Sequence, residues 1–252
     1  IHASVKEGMH ASQAPRFRAA HNDADSFETE IRRARGKGAK RIYLAIESVY
    51  SMDGDLAPLK DLDALARRHD AVLIVDEAHA TGVFGAEGRG LGEDLQNENW
   101  ISIHTCGKAL GVAGALVCAS SGIVDYLVNK ARPFIYSTAP PPCLAAAVQR
   151  ALQLLAEEPW RREKVLKLAG LAHRALTPDA PFAGSQIVPV ILGEAERTLA
   201  VAAQLQADGF DVRAIRPPTV PEGTSRLRVS INSGHSEEDI AALARALHKA
   251  IA

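Results

Sequence analysis

In HTCGKALGVAGALV (104–117) a single lysine, Lys108, sits between Gly107 and Ala109, and no charged or hydroxyl side chain follows it until Ser120. Such small apolar neighbours predict a lysine stripped of water, less basic and more nucleophilic than an exposed one. A second cluster begins where the apolar run AVLIV (71–75) ends: DEAHATG (76–82) carries Asp76 and His79. In doubly wound sheets ligands collect at the carboxyl ends of the strands, which makes both residues candidates. One lysine, one buried carboxylate and a phosphate site are together what pyridoxal 5'-phosphate requires. The amine condenses with the aldehyde, and the carboxylate keeps the pyridine nitrogen protonated so that the ring can accept electrons from a substrate carbanion. That carboxylate contact is charge-assisted, worth about 1.5–3 kcal/mol. Thr105, read as one helical turn before Lys108, offers its hydroxyl to the phosphate, with loop amides helping.

The same DEAH wording occurs in nucleic-acid-dependent ATPases, which need a G-x-x-x-x-G-K-[ST] loop upstream of it. SIHTCGKAL has Ser102 where the first Gly should stand and Ala109 where the Ser/Thr should stand, and it lies downstream. The ATPase reading therefore fails. Cys106, Cys118 and Cys143 are odd in number and lack metal spacing, so neither a metal site nor a disulfide framework is expected, and a reducing cytoplasm is.

The elements that must position these residues form an α/β pattern. RIYLAI (41–46) and AVLIV (71–75) read as strands of a parallel sheet covered on both faces. Between them Leu59, Leu62, Leu65 and Ala66 recur at helical spacing. Further strands are expected over Trp100–His104 and ALVCA (115–119), with GIVDYLVNKA helical after them. RPFIYSTAPPPC then breaks the pattern with four prolines and marks a boundary: 1–140 as part of a large cofactor-binding domain, 141–252 as a small C-terminal one. Beyond it come two helical stripes, Val148, Ala151, Leu152, Leu155 and Val165, Leu168, Ala169, Ala172, then SQIVPVIL and a helix over Thr198–Ala207. In RLRVSIN (226–232) Leu227, Val229 and Ile231 share one face, while Arg226, Arg228 and Ser230 share the other. Ser236 and Asp239 have capping-box spacing ahead of a last helix.

Composition bounds the function classes. The chain has 252 residues, 47% hydrophobic and 23% charged, an ordinary globular balance. No apolar run approaches the roughly 20 residues of a membrane span. A formal net charge of -1 argues against a nucleic-acid binder working by bulk electrostatics. No signal peptide is visible, and the chain opens at Ile1 without methionine, so its start reads as cut.

HAS (2–4), HND (21–23), SMDGD (51–55), DEAHATGVFG (76–85), TCGKALGVAG (105–114), IYSTAPPP (135–142) and RPPTVPEGTSRLRVS (216–230) together resemble the α-oxoamine synthases, pyridoxal phosphate enzymes of fold type I. The likeness runs from the first residue to the last helix. It implies that Lys108 forms the Schiff base and acts as the catalytic base, that Asp76 pairs with the pyridine nitrogen, and that His79 bonds the ring hydroxyl. By the same resemblance His2 stacks on the ring and shares in catalysis, and Ser51 touches the cofactor. Thr105, and Thr138 from the partner subunit of a homodimer, hold phosphate; Ser137 is an alternative to Thr138. Arg228 holds the amino-acid carboxylate, with Arg226 beside it as an example of surface decoration. The implied reaction joins an amino acid to an acyl-CoA or acyl-carrier thioester with loss of carbon dioxide. The wording of 131–142 and 215–224 favours L-alanine and a pimeloyl thioester over glycine C-acetyltransferase, 5-aminolevulinate synthase or serine palmitoyltransferase. A non-catalytic structural relative is the alternative of another class. Family members carry a further N-terminal segment with glycine-rich phosphate contacts and sheet strands.

Overall fold

The computed structural model describes residues 1–95 and 98–251. In chain order the elements are α1 (Ala3–Ala11), α2 (Ala24–Gly36), β1 (Tyr43–Glu47), α3 (Leu59–Arg68), β2 (Val72–Asp76), β3 (Trp100–Thr105), β4 (Ala115–Ala119), α4 (Ser121–Lys130), α5 (Arg132–Ile135) and α6 (Pro142–Glu157). They continue with α7 (Trp160–Leu176), β5 (Ile187–Gly193), α8 (Ala195–Ala207), β6 (Arg213–Ile215), β7 (Ser225–Ser230) and α9 (Glu237–Ile251). Two compact units result: Ile1–Val49 with Ala57–Glu158, and Tyr50–Leu56 with Pro159–Ala252. The break in the chain thus falls after Glu158, and α6 belongs with the first unit, whereas the proline cluster had placed the boundary at 140.

The first unit holds a sheet of order β1-β2-β3-β4, with β1, β2 and β3 parallel and β4 antiparallel to β3. Its core joins Ile31 and Ala34 of α2, Leu44 and Ile46 of β1, the α3 stripe Leu59, Leu62, Leu65 and Ala66, and Leu73 and Val75 of β2. Each large aliphatic side chain removed from water here contributes about 1.5–3 kcal/mol. Coverage on both faces, expected from the continuous apolar runs, is not what these residues achieve. Tyr43 in β1 and Val117 in β4 are exposed, and α4, α5 and α6 bury no residue at all. The apolar stripe of α6 is only half-buried: Val148, Ala151 and Leu155 are partly covered and Leu152 is exposed.

The second unit packs α7, α8 and α9 on an antiparallel sheet of order β5-β7-β6. The α7 stripe Val165, Leu168, Ala169 and Ala172 is buried as its spacing predicts, against Leu227 and Val229 of β7 and Leu243 and Leu247 of α9. Pro189 is tolerated within β5 because that strand forms an edge, where one row of backbone groups needs no partner. Ser236 and Asp239 form the expected capping box: Asp239 N donates to Ser236 Oγ (3.1 Å) and Ser236 N to Asp239 Oδ2 (2.7 Å).

Candidate active site

Asp76 ends β2, buried, with Oδ1 accepting from Ala78 N at 2.9 Å in the turn that carries His79. Its register partner across the sheet is Glu47, and the Ile1 amino nitrogen lies 3.8 Å from the Glu47 carboxylate. The chain start is thereby brought to the carboxyl end of β1. His2 follows as the N-cap of α1, exposed, its Nδ1 accepting from Ser4 N.

Thr105 ends β3, and Lys108 lies in a turn, not a helix, so the helical-turn relation expected between them does not hold. The turn is tied by Cys106 N donating to Gly114 O (2.9 Å), Val112 N to Cys106 O (2.9 Å) and Gly111 N to Lys108 O (3.1 Å). Cys106 and Leu110 point inward and are buried, and burial pushes the Cys106 thiol up. Residues 107–109 face outward instead. Lys108 is exposed, so its small neighbours do not bury it as expected: glycine and alanine are too short to shield a lysine side chain. The Asp76 and Lys108 turns nonetheless touch. Gly82 has φ +79°, and a Cβ built there would stand 2.6 Å from Ala109 Cβ. Thr138 is exposed on the segment after α5, with Ser137 Oγ bonded back to Pro133 O.

Behind Asp76 lies a buried polar network that sequence reasoning missed. Glu77 is fully buried, its carboxylate accepting from Ser48 Oγ (2.6 Å), Gly92 N (2.6 Å) and Leu91 N (3.2 Å). Burial holds its pKa above the usual carboxylate range, against the pull of those donors. Thr81 Oγ1 donates to Glu77 O (2.8 Å), so at its 2.9 Å contact with His104 Nδ1 the ring donates; Ser102 Oγ, 2.8 Å away, then donates to Nε2. Burial lowers the His104 pKa, consistent with this neutral ring, while the Asp76 charge pulls it up. Only the polar letters inside otherwise apolar runs, Ser102 and His104 in WISIHT, signal this network.

In the second unit Ser51 and Arg228 meet: Arg228 Nε donates to Ser51 O at 2.6 Å. Arg226 is not surface decoration. It is 4% exposed, paired with the Asp53 carboxylate and donating from Nε to Thr224 O at 3.0 Å. The 50–56 turn, laid on that face of β7, removes it from water.

The site also bears on a cofactor. The Thr105 hydroxyl is buried and has no hydrogen-bond partner among the described residues. An orphaned buried hydroxyl costs free energy unless a ligand completes it, and an anion such as phosphate would accept its proton. Thr105 therefore fits the group that Asp76 and Lys108 imply.

A sheet of three parallel strands and one antiparallel edge strand, with its lysine in the turn that joins β3 to that edge strand, and a smaller α+β unit later in the chain, is the architecture of the pyridoxal phosphate-dependent transferases of fold type I. The model of the family described as aminotransferase class I and II matches residues 1–247, and the chain belongs to that family. The 8-amino-7-oxononanoate synthase of Anaeromyxobacter dehalogenans (strain 2CP-C) is 44% identical over 257 residues, covering 98% of this chain and 64% of that protein. The chain thus spans under two thirds of this curated relative. Among solved structures, a serine palmitoyltransferase variant from S. paucimobilis with bound PLP–myriocin aldimine superposes with a TM-score of 0.91 at 29% identity, over 99% of this chain and 64% of that one. The 8-amino-7-oxononanoate synthase from Francisella tularensis gives 0.81 at 27%, over 99% and 72%.

Proposed function

We propose that the protein carrying this chain is a cytoplasmic, pyridoxal phosphate-dependent α-oxoamine synthase. It joins L-alanine to a pimeloyl thioester, on coenzyme A or an acyl carrier, and releases 8-amino-7-oxononanoate, carbon dioxide and the free thiol in biotin synthesis. The observation that carries the reading is the 44% identity to an 8-amino-7-oxononanoate synthase, sustained over 98% of the chain.

Bound pyridoxal phosphate supplies an electron sink for the carbanion left when an amino acid loses its α-proton. Asp76, fixed at the end of β2, would hold the pyridine nitrogen; Thr105 would give its orphaned hydroxyl to the phosphate; His79 would bond the ring hydroxyl. His2 would lie against the ring and Ser51 would add a contact. Lys108 Nζ would bind the aldehyde carbon and, once the substrate amine displaces it, take the α-proton as general base. Arg228 would receive the substrate carboxylate on its planar fork.

A homodimer, with Thr138 of the partner subunit at the phosphate, accords with the uncovered face of the first unit. Tyr126, Phe134 and Tyr136 are 64%, 66% and 75% exposed on α4 and α5 and just beyond. Aromatic groups clustered in this way are enriched at interfaces.

The test is a product assay on the complete protein with alanine, glycine and serine, each against pimeloyl-, acetyl-, succinyl- and palmitoyl-CoA. Alanine with pimeloyl-CoA should be turned over fastest and give 8-amino-7-oxononanoate. Faster turnover of another pair would overturn the substrate reading.

A further inference from the structure

We propose that Arg226 is a positioning residue, whose buried pairing with Asp53 fixes the 50–56 turn so that the Ser51 carbonyl sets the orientation of Arg228. The inference rests on the reading of Arg228 as the carboxylate-binding group. Arg226 and Arg228 lie on one face of β7, yet they do different things. The Arg226 guanidinium is spent on the chain itself: Asp53, Met52 O at 3.5 Å and Thr224 O at 3.0 Å. A buried guanidinium is retained only where its charge and donors are met, and here all three acceptors lie within or beside the segments that carry Ser51 and Arg228.

The turn itself is stiff. Tyr50 N donates to Asp55 O (2.9 Å) and Gly54 N to Tyr50 O (2.8 Å). Gly54 has φ +70°, and a Cβ there would stand 2.4 Å from Ile187 O of β5. A stiff turn moves as a body, so anchoring Asp53 anchors Ser51. Arg228 then reads that position through its Nε–H. The 2.6 Å bond from Nε to Ser51 O, together with Nη1 donating to Ser230 Oγ at 3.2 Å, sets the place and the plane of the guanidinium, whose donors are coplanar. A preset fork matters for a bidentate carboxylate contact, whose strength depends on alignment.

The experiment uses the complete holoenzyme and three variants: Asp53→Asn, Arg226→Lys and Arg228→Ala. Asp53 is half exposed, so its replacement opens no cavity. Asp53→Asn should raise the KM for alanine about tenfold, far more than it lowers kcat. In ¹⁵N-arginine-labelled protein it should also cost the Arg228 Nε proton its protection from exchange. Arg226→Lys, which keeps charge but not the fork, should do the same to a smaller degree. Asp53→Asn added to Arg228→Ala should change nothing further, since there is then no fork left to orient. An unchanged KM and unchanged Nε protection in Asp53→Asn, with alanine binding impaired in Arg228→Ala, would overturn the positioning role and leave the carboxylate reading standing. Unimpaired alanine binding in Arg228→Ala would overturn both.

Discussion

Gly82 is where the Asp76 turn and the Lys108 turn touch, and Gly82→Ala tests whether that contact holds the site together. The new methyl group would meet Ala109 Cβ at 2.6 Å, with Leu155 Cδ2 at 3.3 Å, on a backbone held at φ +79°. An L-residue in the left-handed region costs about 1–2 kcal/mol, and overpacking of this kind costs about 1–3 kcal/mol. The sum, about 2–5 kcal/mol, is a large share of the roughly 5–15 kcal/mol that holds a typical domain. Urea unfolding should show the loss as a lower midpoint at constant m. Removing the other methyl group, in Gly82→Ala/Ala109→Gly, should restore the steric part and leave the backbone part, a coupling that a double-mutant cycle reads directly. A single variant as stable as the parent would refute the reasoning, as would a double variant no better than the single.

Two further outcomes follow from named contacts. In NMR titration His104 should lose its proton below the ordinary histidine value of 6.5, because burial disfavours the charged ring, and Asp76→Asn should push it lower still by removing a charge that favours protonation. Its folded pKa is depressed, so the stability it contributes is present above the unfolded value and lost as pH falls through the folded one; a stability profile that is flat across the acid side of pH 6.5, or identical in His104→Asn, would contradict this. Ser236→Ala removes the hydroxyl that caps α9 at 3.1 Å from Asp239 N and should cost about 0.5–2 kcal/mol by thermal or urea unfolding.

The parts of the fold that depend on local periodicity were legible in the sequence. The α3 and α7 stripes, the strand runs and the Ser236–Asp239 box all specify their own neighbours within a few residues. What was not legible depends on chain that arrives from far away. Leu227 and Arg226 alternate as a half-exposed strand should, and only the 50–56 turn, far off in sequence, turns the Arg226 side from a wet face into a buried one. The exposure of Lys108 has the same origin with opposite sign, since small neighbours permit burial but do not supply the covering atoms. Of the candidate site, the Asp76 and Lys108 turns were readable because strand ends announce themselves. The Glu77–Thr81–His104 network was not, because nothing in the letters says which polar side chains will be enclosed together.

The central claim is that Lys108 carries the cofactor, and the most direct measurement is chemical. The complete protein, loaded with pyridoxal phosphate, is reduced with borohydride, digested and mapped by mass spectrometry. The pyridoxyl mass should appear on the peptide that contains Lys108 and be absent after Lys108→Ala. The same mass fixed on any other lysine, or its persistence in the variant, would contradict the assignment and the mechanism built on it.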